Sequence, residues 1–265
     1  MAFIFNISLS ISHHFIKFAA NIIMRHASIA LLCANSQLFM EQNHTYNIGP
    51  AIKHLRTVDR RLACVIDAIG IIDINYYKEA DGFNFLVREI IGQMISAKAK
   101  KTIYERFLSL CGYPVLPSKI ISLTQEQIRE TGISSSKAKY IINLALQVKN
   151  GAINLEGLSS QSDKEVSSIL MSIQGIGKWT SKMYLLFYLH REDVLPVEDV
   201  AFLQAYKWLY STDNVSPLGV LNKCKIWSPY MSIGARYMYK ALDSGLTKIN
   251  IDSFLQTSPN LYGEL

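Results

Sequence analysis

The stretch IQGIGKWTSK, residues 173–182, decides the fold of this chain. Two glycines, Gly175 and Gly177, flank one apolar residue, and a helical pattern begins directly after them. Glycines let the backbone turn tightly and approach a ligand closely, and the amides that begin a helix favour an anion. The stretch therefore predicts two helices joined by a hairpin that binds a phosphate. An ordinary corner between two helices is the alternative interpretation.

Two other phosphate-binding motifs do not fit this stretch. A P-loop needs the spacing GxxxxGK[ST], and a dinucleotide-binding turn needs a third glycine and a preceding strand. Leu170, Ile173 and Ile176 are instead spaced to fix the hairpin to an apolar core. The stretch is therefore interpreted as a hairpin that contacts nucleic-acid phosphate whatever the base sequence, and an ordinary helix corner stays the alternative.

The pattern around the hairpin is helical almost throughout. Residues 83–112 carry apolar side chains at helical spacing, which predicts two helices with a joint near Ser96. Sustained alternation of apolar and polar residues is conceivable only in residues 1–10, so the predicted fold class is all-α. Two further helix starts carry the capping-box pair of a hydroxyl and a Gln or Glu three positions later: Thr124 with Gln127, and Ser162 with Glu165.

Composition limits the class of protein and its partners. The 265 residues are 49% apolar, enough for a large core, and the net charge of +6 modestly favours a polyanionic partner. The four cysteines, at 33, 64, 111 and 224, have no CxxC spacing, so neighbouring cysteines cannot form a zinc site or a tight iron–sulfur loop. They are typical of reduced core thiols in a cytosolic protein.

The first 45 residues differ from the rest of the chain. They are apolar but interrupted by polar residues, so no run reaches the ~20 apolar residues of a spanning helix, and the pattern of a secretory signal is missing. We expect a poorly defined N-terminal extension over 1–45, one domain of two helical lobes over 46–250, and a tail over 251–265. A natural start at Met24 or Met40 and a weak membrane anchor stay open for the extension.

A second segment of interest is DVLPVEDVAF, residues 193–202. Pro196 opens a new helix start, and Glu198 and Asp199 lie where that helix would begin. A carboxylate at this place caps backbone amides and complements the helix dipole. Taken alone, the pattern indicates a cap and not a catalytic group.

Four blocks, in this order, resemble the helix–hairpin–helix (HhH-GPD) DNA glycosylases of the endonuclease III superfamily, and above all their alkylation-repair branch, the DNA-3-methyladenine glycosylase II type. The resemblance implies an all-α fold of two helical lobes with the active-site cleft between them. The blocks are FLVREIIGQMISAKAKKTIYERF (85–107), IQGIGKWTSKMYLLFYL (173–189), DVLPVEDVAF (193–202) and the fainter IWSPYMSIGARYMY (226–239).

The resemblance also implies a reaction. Such an enzyme flips an alkylated purine, of the 3-methyladenine or 7-methylguanine type, out of DNA and hydrolyses its N-glycosidic bond in base excision repair. Asp199 matches the catalytic carboxylate, which stabilises positive charge on the sugar. Relatives that also cut the strand carry a Schiff-base lysine where this chain has Trp179, and Lys178 is one residue too early, so a monofunctional enzyme is expected. The alternatives are a glycosylase for oxidised or mismatched bases and a non-catalytic DNA-binding protein.

Further site residues follow from the same resemblance. Met94 would fill the gap left by the flipped base, although its spacing alone indicates a core residue. The aromatic face of Trp179 would attract a cationic base, while Met183 replaces an aromatic residue usual in the family, and core packing explains the other two pocket candidates equally well. The predicted base pocket is Trp179, Met183, Trp227 and Tyr230. The predicted DNA contacts are Gly175, Gly177, Lys178, Thr180, Gln93, Met94, Ser96 and Lys137.

Expectations about ligands and partners complete the prediction. The backbone carbonyls of Met171, Ile173 and Ile176 are candidates for a monovalent cation, as in the family's hairpins, and no cofactor is expected. The expected partner is double-stranded DNA with damaged bases, bound by a monomer that does not associate with a membrane. The expected location is the cytoplasm, with the nucleoid. Met231 departs from the arginine that relatives usually carry.

Overall fold

A computed structural model describes residues 47–74 and 81–257. The predicted extension over 1–45 lies outside these residues, together with the two interpretations left open for it and the short alternation in residues 1–10. Across the described ranges the regular elements are helical and no strand occurs, which confirms the all-α class. None of the helices described has both the length and the hydrophobicity that crossing a bilayer requires.

The α-helices are numbered in chain order through the described residues. They are α1 (Gly49–Val58), α2 (Arg60–Ile69), α3 (Gly82–Gly92), α4 (Ala97–Cys111), α5 (Pro117–Ile121), α6 (Gln125–Glu130), α7 (Ser135–Lys149), α8 (Asp163–Met171), α9 (Lys178–Met183), α10 (Val200–Tyr210), α11 (Pro217–Cys224), α12 (Met231–Asp243) and α13 (Ile251–Thr257). A π-helical turn, Tyr184–Tyr188, continues α9, and short 3-10 helices cover Glu156–Ser160, Lys225–Trp227 and Leu246–Lys248.

These helices pack as two lobes. Helices α3 to α9 with the π-helical turn form what we call the central lobe, whose core is made of fully buried side chains such as Phe85, Leu86 and Phe107. Helices α1, α2 and α10 to α12 form the outer lobe, so both ends of the domain meet there. The described segment 189–199 connects the central lobe to the outer lobe.

The local signals in the sequence place the helix starts correctly. Thr124 Oγ1 accepts from the Gln127 amide at 3.2 Å, and the Gln127 side chain accepts from the Thr124 amide at 2.8 Å. Ser162 and Glu165 make the same reciprocal pair at 3.4 and 2.9 Å. Ser96 caps α4 by accepting from the Ala99 amide at 3.2 Å, which confirms the predicted joint between α3 and α4.

Packing of the outer lobe extends past the predicted domain end at residue 250. Ile251 and Phe254 of α13 are buried, and the Phe254 ring lies 5.8 Å from the ring of Trp208 on α10. The described part of the predicted tail is therefore attached to the domain by apolar burial. Cys64, Cys111 and Cys224 are buried, as expected of core thiols, and Cys33 lies outside the described residues.

Candidate active site

The two hairpin glycines have different roles. Gly175 has a φ of 92°, which only glycine adopts readily, and a Cβ there would lie 2.3 Å from the Tyr140 ring. Gly177 has an extended φ of −105°, and a Cβ there would meet nothing within 4 Å. The turn therefore depends on Gly175. Gly177 leaves an open surface in front of the first amides of α9, while Ile173 and Ile176 are buried beneath the hairpin.

Gln93 ties the end of α3 to the hairpin. Its Nε2 donates to Gly175 O at 2.9 Å and to Thr180 Oγ1 at 3.1 Å. Thr180 is only 1% exposed, so its side chain does not reach DNA, and the predicted contact is left to its backbone amide at the start of α9. Its hydroxyl is turned inward, where it accepts from Gln93. The amide nitrogen of Gln93 is likewise committed to the hairpin, although the residue is half-buried and near the surface.

Met94 lies at the tip of the loop that Gln93 anchors. Its side chain is 101% exposed and its backbone is left-handed, with a φ of 56°. The core position that spacing alone suggested for Met94 is therefore excluded. A non-glycine residue in this conformation is uncommon, and such residues gather at functional sites. Ser96 is also exposed, two residues further along the same loop.

Lys137, on α7, donates hydrogen bonds to the backbone at the start of this loop. Its Nζ donates to Ile91 O at 2.9 Å and to Gln93 O at 2.6 Å, which are carbonyls at the C-terminal end of α3. Burial lowers the pKa of Lys137. The prediction that Lys137 contacts phosphate is thus wrong for this structure, because its ammonium already satisfies helix-end carbonyls. Lys178, at the start of α9, is exposed.

Asp199 is the N-cap of α10 and also faces the hairpin. Its Oδ1 accepts from the Phe202 amide at 2.8 Å, which confirms the capping role. Its Oδ2 accepts from Trp179 Nε1 at 2.6 Å, and the residue is 8% exposed. Both carboxylate oxygens are therefore fixed by the protein, and one of them is held by the hairpin helix itself.

The segment before Asp199 is anchored to the same helix. Lys182 Nζ donates to Leu195 O at 2.8 Å and lies 3.4 Å from Glu198 Oε2. Together with the Trp179 contact, this bond holds the segment 195–199 against α9. The hairpin and the carboxylate consequently belong to one assembly, although twenty residues separate Trp179 from Asp199.

A cavity of about 240 Å³ lies between the lobes, with Tyr239 and Ala201 at the side nearest Asp199. Burial raises the pKa of Tyr239 well above its usual value, and the negative charges of Asp199 and Glu89 act in the same direction. The phenol therefore stays protonated at neutral pH. The charge of the Asp199 carboxylate acts on the phenol. Among the described residues, the Tyr239 hydroxyl has no hydrogen-bond partner. Further lining residues are Ile72, Asp73, Arg88, Glu89, Lys100, Met183, Phe187 and Arg236.

Comparison with known proteins identifies this arrangement. Residues 87–229 match the model of the HhH-GPD superfamily of base excision DNA repair proteins, which is more than half of the chain. The chain belongs to the HhH-GPD superfamily. The two lobes, the glycine hairpin and the interlobe cavity are thus the fold that the sequence resemblance implied.

Individual HhH-GPD relatives are similar over most of their length. A Schizosaccharomyces pombe protein named DNA-3-methyladenine glycosylase 1 is 28% identical over 192 residues, which cover 71% of this chain and 84% of the relative. The solved structure of the 3-methyladenine DNA glycosylase from S. pombe in complex with abasic DNA has a TM-score of 0.68 at 27% identity, covering 73% of this chain and 97% of that one. A DNA-3-methyladenine glycosidase structure from Bacillus halodurans has a TM-score of 0.68 at 29% identity, covering 78% and 96%.

Two residues predicted for the base pocket of this HhH-GPD protein are placed elsewhere. Trp227 is fully buried in the outer lobe, where its Nε1 donates to Asp59 Oδ2 at 2.8 Å, so the pocket role predicted for it is wrong. Tyr230 packs edge-on against His54, with ring centroids 5.6 Å apart, and does not line the cavity. Packing within the outer lobe, the alternative weighed from sequence, accounts for both.

The other two pocket candidates lie on the hairpin helix. Met183 lines the cavity, as its place in the hairpin block suggested. Trp179 is half-buried and turns its indole N–H toward Asp199, so it contacts the carboxylate beside the cavity and does not belong to the cavity lining. Its attraction for a cationic base stays a prediction.

The predicted carbonyl site for a monovalent cation stays a prediction as well. Ile173 O accepts from the Ile176 amide at 3.0 Å, which leaves that carbonyl one lone pair for an ion. Met171 is the last residue of α8 and its side chain is exposed, whereas the side chain of Ile176, in the hairpin, is buried.

Sequence reasoning missed Tyr239, Arg236 and the charged cluster Arg88, Glu89 and Lys100. One signal was available: Arg88 and Glu89 interrupt an otherwise apolar run, residues 85–91 of α3, and charges in such a run must be paired or lie in a functional site. The positions of Tyr239 and Arg236 carried no such signal. Both lie in α12, whose apolar spacing indicates only a packed helix.

Proposed function

We propose that this protein is a monofunctional DNA glycosylase that flips alkylated purines out of double-stranded DNA and hydrolyses their N-glycosidic bonds. The single observation that carries the proposal is the 2.6 Å hydrogen bond from Trp179 on the hairpin helix to the Asp199 carboxylate. It holds a fixed negative charge against the hairpin helix, and Ala201, two residues after Asp199, lines a cavity large enough for a base. Family membership and the names of the relatives support the same activity.

Asp199 supplies the chemistry. When the base leaves, positive charge develops on the sugar, and a carboxylate that is already oriented stabilises that charge without rearranging. Phe202 N and Trp179 Nε1 hold its two oxygens, and each oxygen keeps a lone pair for the sugar or for the attacking water. A purine alkylated at N3 or N7 is positively charged and leaves easily, so an acid that protonates the base is unnecessary.

DNA binding would use the hairpin and the Met94 loop. The backbone around Gly177 is open and the first amides of α9 face outward, which suits a phosphate of the duplex. Lys178 adds a positive charge at the same place. The contacts of Gln93 with the hairpin and of Lys137 with Gln93 O hold the loop that carries the exposed Met94 side chain. This side chain would occupy the gap in the base stack while the damaged nucleotide lies in the cavity.

The decisive experiment measures base release from three duplexes of one sequence, carrying methylated purines, uracil or 8-oxoguanine. We expect release of methylated purines above the spontaneous rate and no release of the other two. Release from the uracil or 8-oxoguanine duplex alone would assign the enzyme to another lesion. Binding to all three without release from any would identify a non-catalytic DNA-binding protein.

A second prediction concerns strand cleavage. Borohydride should trap no covalent complex between the protein and damaged DNA, because Trp179 occupies the place of a Schiff-base lysine. The nearest other amines are engaged: Lys182 with Leu195 O and Glu198, and Lys100 with Glu89. A bifunctional glycosylase on its own substrate serves as the positive control. A trapped complex that disappears in Lys178→Gln would show that Lys178 is a nucleophile after all.

A further inference from the structure

A charged cluster on α3 and α4 lines the interlobe cavity, and the proposed reaction does not use it. Glu89, on α3, lines the cavity and is only 5% exposed. Lys100 of α4 holds it from one side, with Nζ at 2.9 Å from Oε1 and 2.9 Å from Oε2, and Arg88 donates to Oε1 from the other. Building on the proposed function, we propose that Glu89 is a specificity-determining residue that accepts a hydrogen bond from the 2-amino group of a flipped guanine-type base.

The cluster is built into the backbone of the lobe. A Cβ on Gly92 would lie 2.5 Å from Lys100 Cδ and 2.9 Å from its Nζ, so any larger residue there would displace the lysine. Gly92 thus opens the path along which Lys100 reaches Glu89. A buried carboxylate needs such cationic partners to stay ionised, and here they fix its orientation as well.

The two carboxylate oxygens are not equivalent. Oε1 accepts from Arg88 Nε at 3.2 Å, from Arg88 Nη2 at 3.1 Å and from Lys100 Nζ at 2.9 Å. Oε2 accepts from Lys100 Nζ at 2.9 Å. An ionised carboxylate oxygen readily accepts two donors, so Oε2 retains acceptor capacity next to the cavity. An amino group is the donor that a purine offers.

The first turn of α10 relates this acceptor to the proposed catalytic carboxylate. Asp199 caps that turn, and Ala201, two residues further on, lines the same cavity as Glu89. A nucleotide whose sugar reaches Asp199 can therefore place its base in the cavity that Glu89 lines, with Met183 and Phe187 available to the apolar ring faces. Guanine-type bases carry a 2-amino group, and hypoxanthine-type bases do not.

The test compares two lesions that differ in that amino group alone: 7-methylguanine and 7-methylhypoxanthine, each in the same duplex and each corrected for spontaneous release. We expect the wild-type protein to release 7-methylguanine with a kcat/KM about tenfold higher, the size of a charge-assisted hydrogen bond. Both bases are cationic, so ease of departure does not separate them. Equal rates for the two bases would overturn the proposal without any mutation.

Glu89→Gln provides the matched variant. Its amide oxygen should stay where three donors converge, so the NH2 group takes the place of Oε2 and presents a donor to the base. We expect the tenfold preference to disappear, with loss confined to 7-methylguanine, while affinity for a duplex with an abasic-site mimic stays unchanged because that ligand has no base. A purely structural role would instead lower the melting temperature and reduce both lesions equally, which would overturn the proposal. Release of neither base by the wild type would overturn the proposed function itself.

Discussion

Asp199→Asn is expected to reduce the rate of base release by about 10²–10³-fold, the usual cost of losing one well-placed electrostatic contact in a transition state. The asparagine has nearly the same shape but no charge with which to stabilise the developing cation on the sugar. Its single side-chain oxygen can keep only one of the two bonds that Asp199 accepts, so the bond from Trp179 Nε1 is lost. Affinity for a duplex that contains an abasic-site mimic should still change little, because the backbone of the hairpin and the Met94 loop are untouched. Single-turnover release from methylated DNA measures the first effect and a binding titration the second.

The structural role of Asp199 needs its own control. Asparagine is as good an N-cap as aspartate, so its oxygen can still accept from the Phe202 amide and α10 should keep its stability. Asp199→Ala removes the cap and should lower the free energy of unfolding by about 1 kcal/mol more than the Asn variant. If the Asn variant keeps full activity, Asp199 is a cap alone and the catalytic assignment fails.

The second large effect separates the two hairpin glycines. Gly177→Ala should leave the melting temperature unchanged or slightly raised, because its φ of −105° suits alanine and nothing lies within 4 Å of the new methyl group. Affinity should still fall, by about tenfold, since the methyl group would enter the space that a phosphate occupies. The fall should be similar for damaged and undamaged duplexes, because phosphate contacts carry no sequence information.

Gly175→Ala should behave in the opposite way. The substitution combines a φ of 92° with a methyl group 2.3 Å from the Tyr140 ring, so we expect a loss of folding stability on the order of 2–4 kcal/mol. Thermal unfolding and salt-dependent duplex binding of both variants test the pair. A folded Gly177→Ala protein with wild-type affinity would show that the hairpin is only a corner between two helices.

Much of the fold was predictable because its signals are local. The capping boxes at Thr124 and Ser162, the joint at Ser96 and the glycine hairpin are each specified within a few residues of sequence. The order of the four blocks added the family and, with it, Asp199. The structure then showed that Asp199 caps α10 with one oxygen and accepts from the hairpin helix with the other, while its catalytic role stays a proposal.

The errors concern side chains whose partners are distant in the chain. Thr180 pairs with Gln93 across 87 positions, and Trp227 with Asp59 across 168. Helical spacing reports which face of a helix is apolar, but not which polar atom will meet a given indole or hydroxyl after two lobes have packed. Lys137 was misjudged for the same reason, because the carbonyls that it satisfies belong to another helix.

The exposed loop tip also has a chemical consequence. The Met94 thioether is fully accessible, whereas Met183 in the cavity wall and Met238 in the outer lobe are buried. Peroxide therefore reaches Met94 much more readily than either of them, and oxidation turns a flexible apolar side chain into a polar sulfoxide. If Met94 lies between stacked bases as proposed, it would then carry a group that prefers water. Binding to a flipped nucleotide would weaken while the fold and the Asp199 carboxylate stayed intact, and a sulfoxide reductase could restore binding.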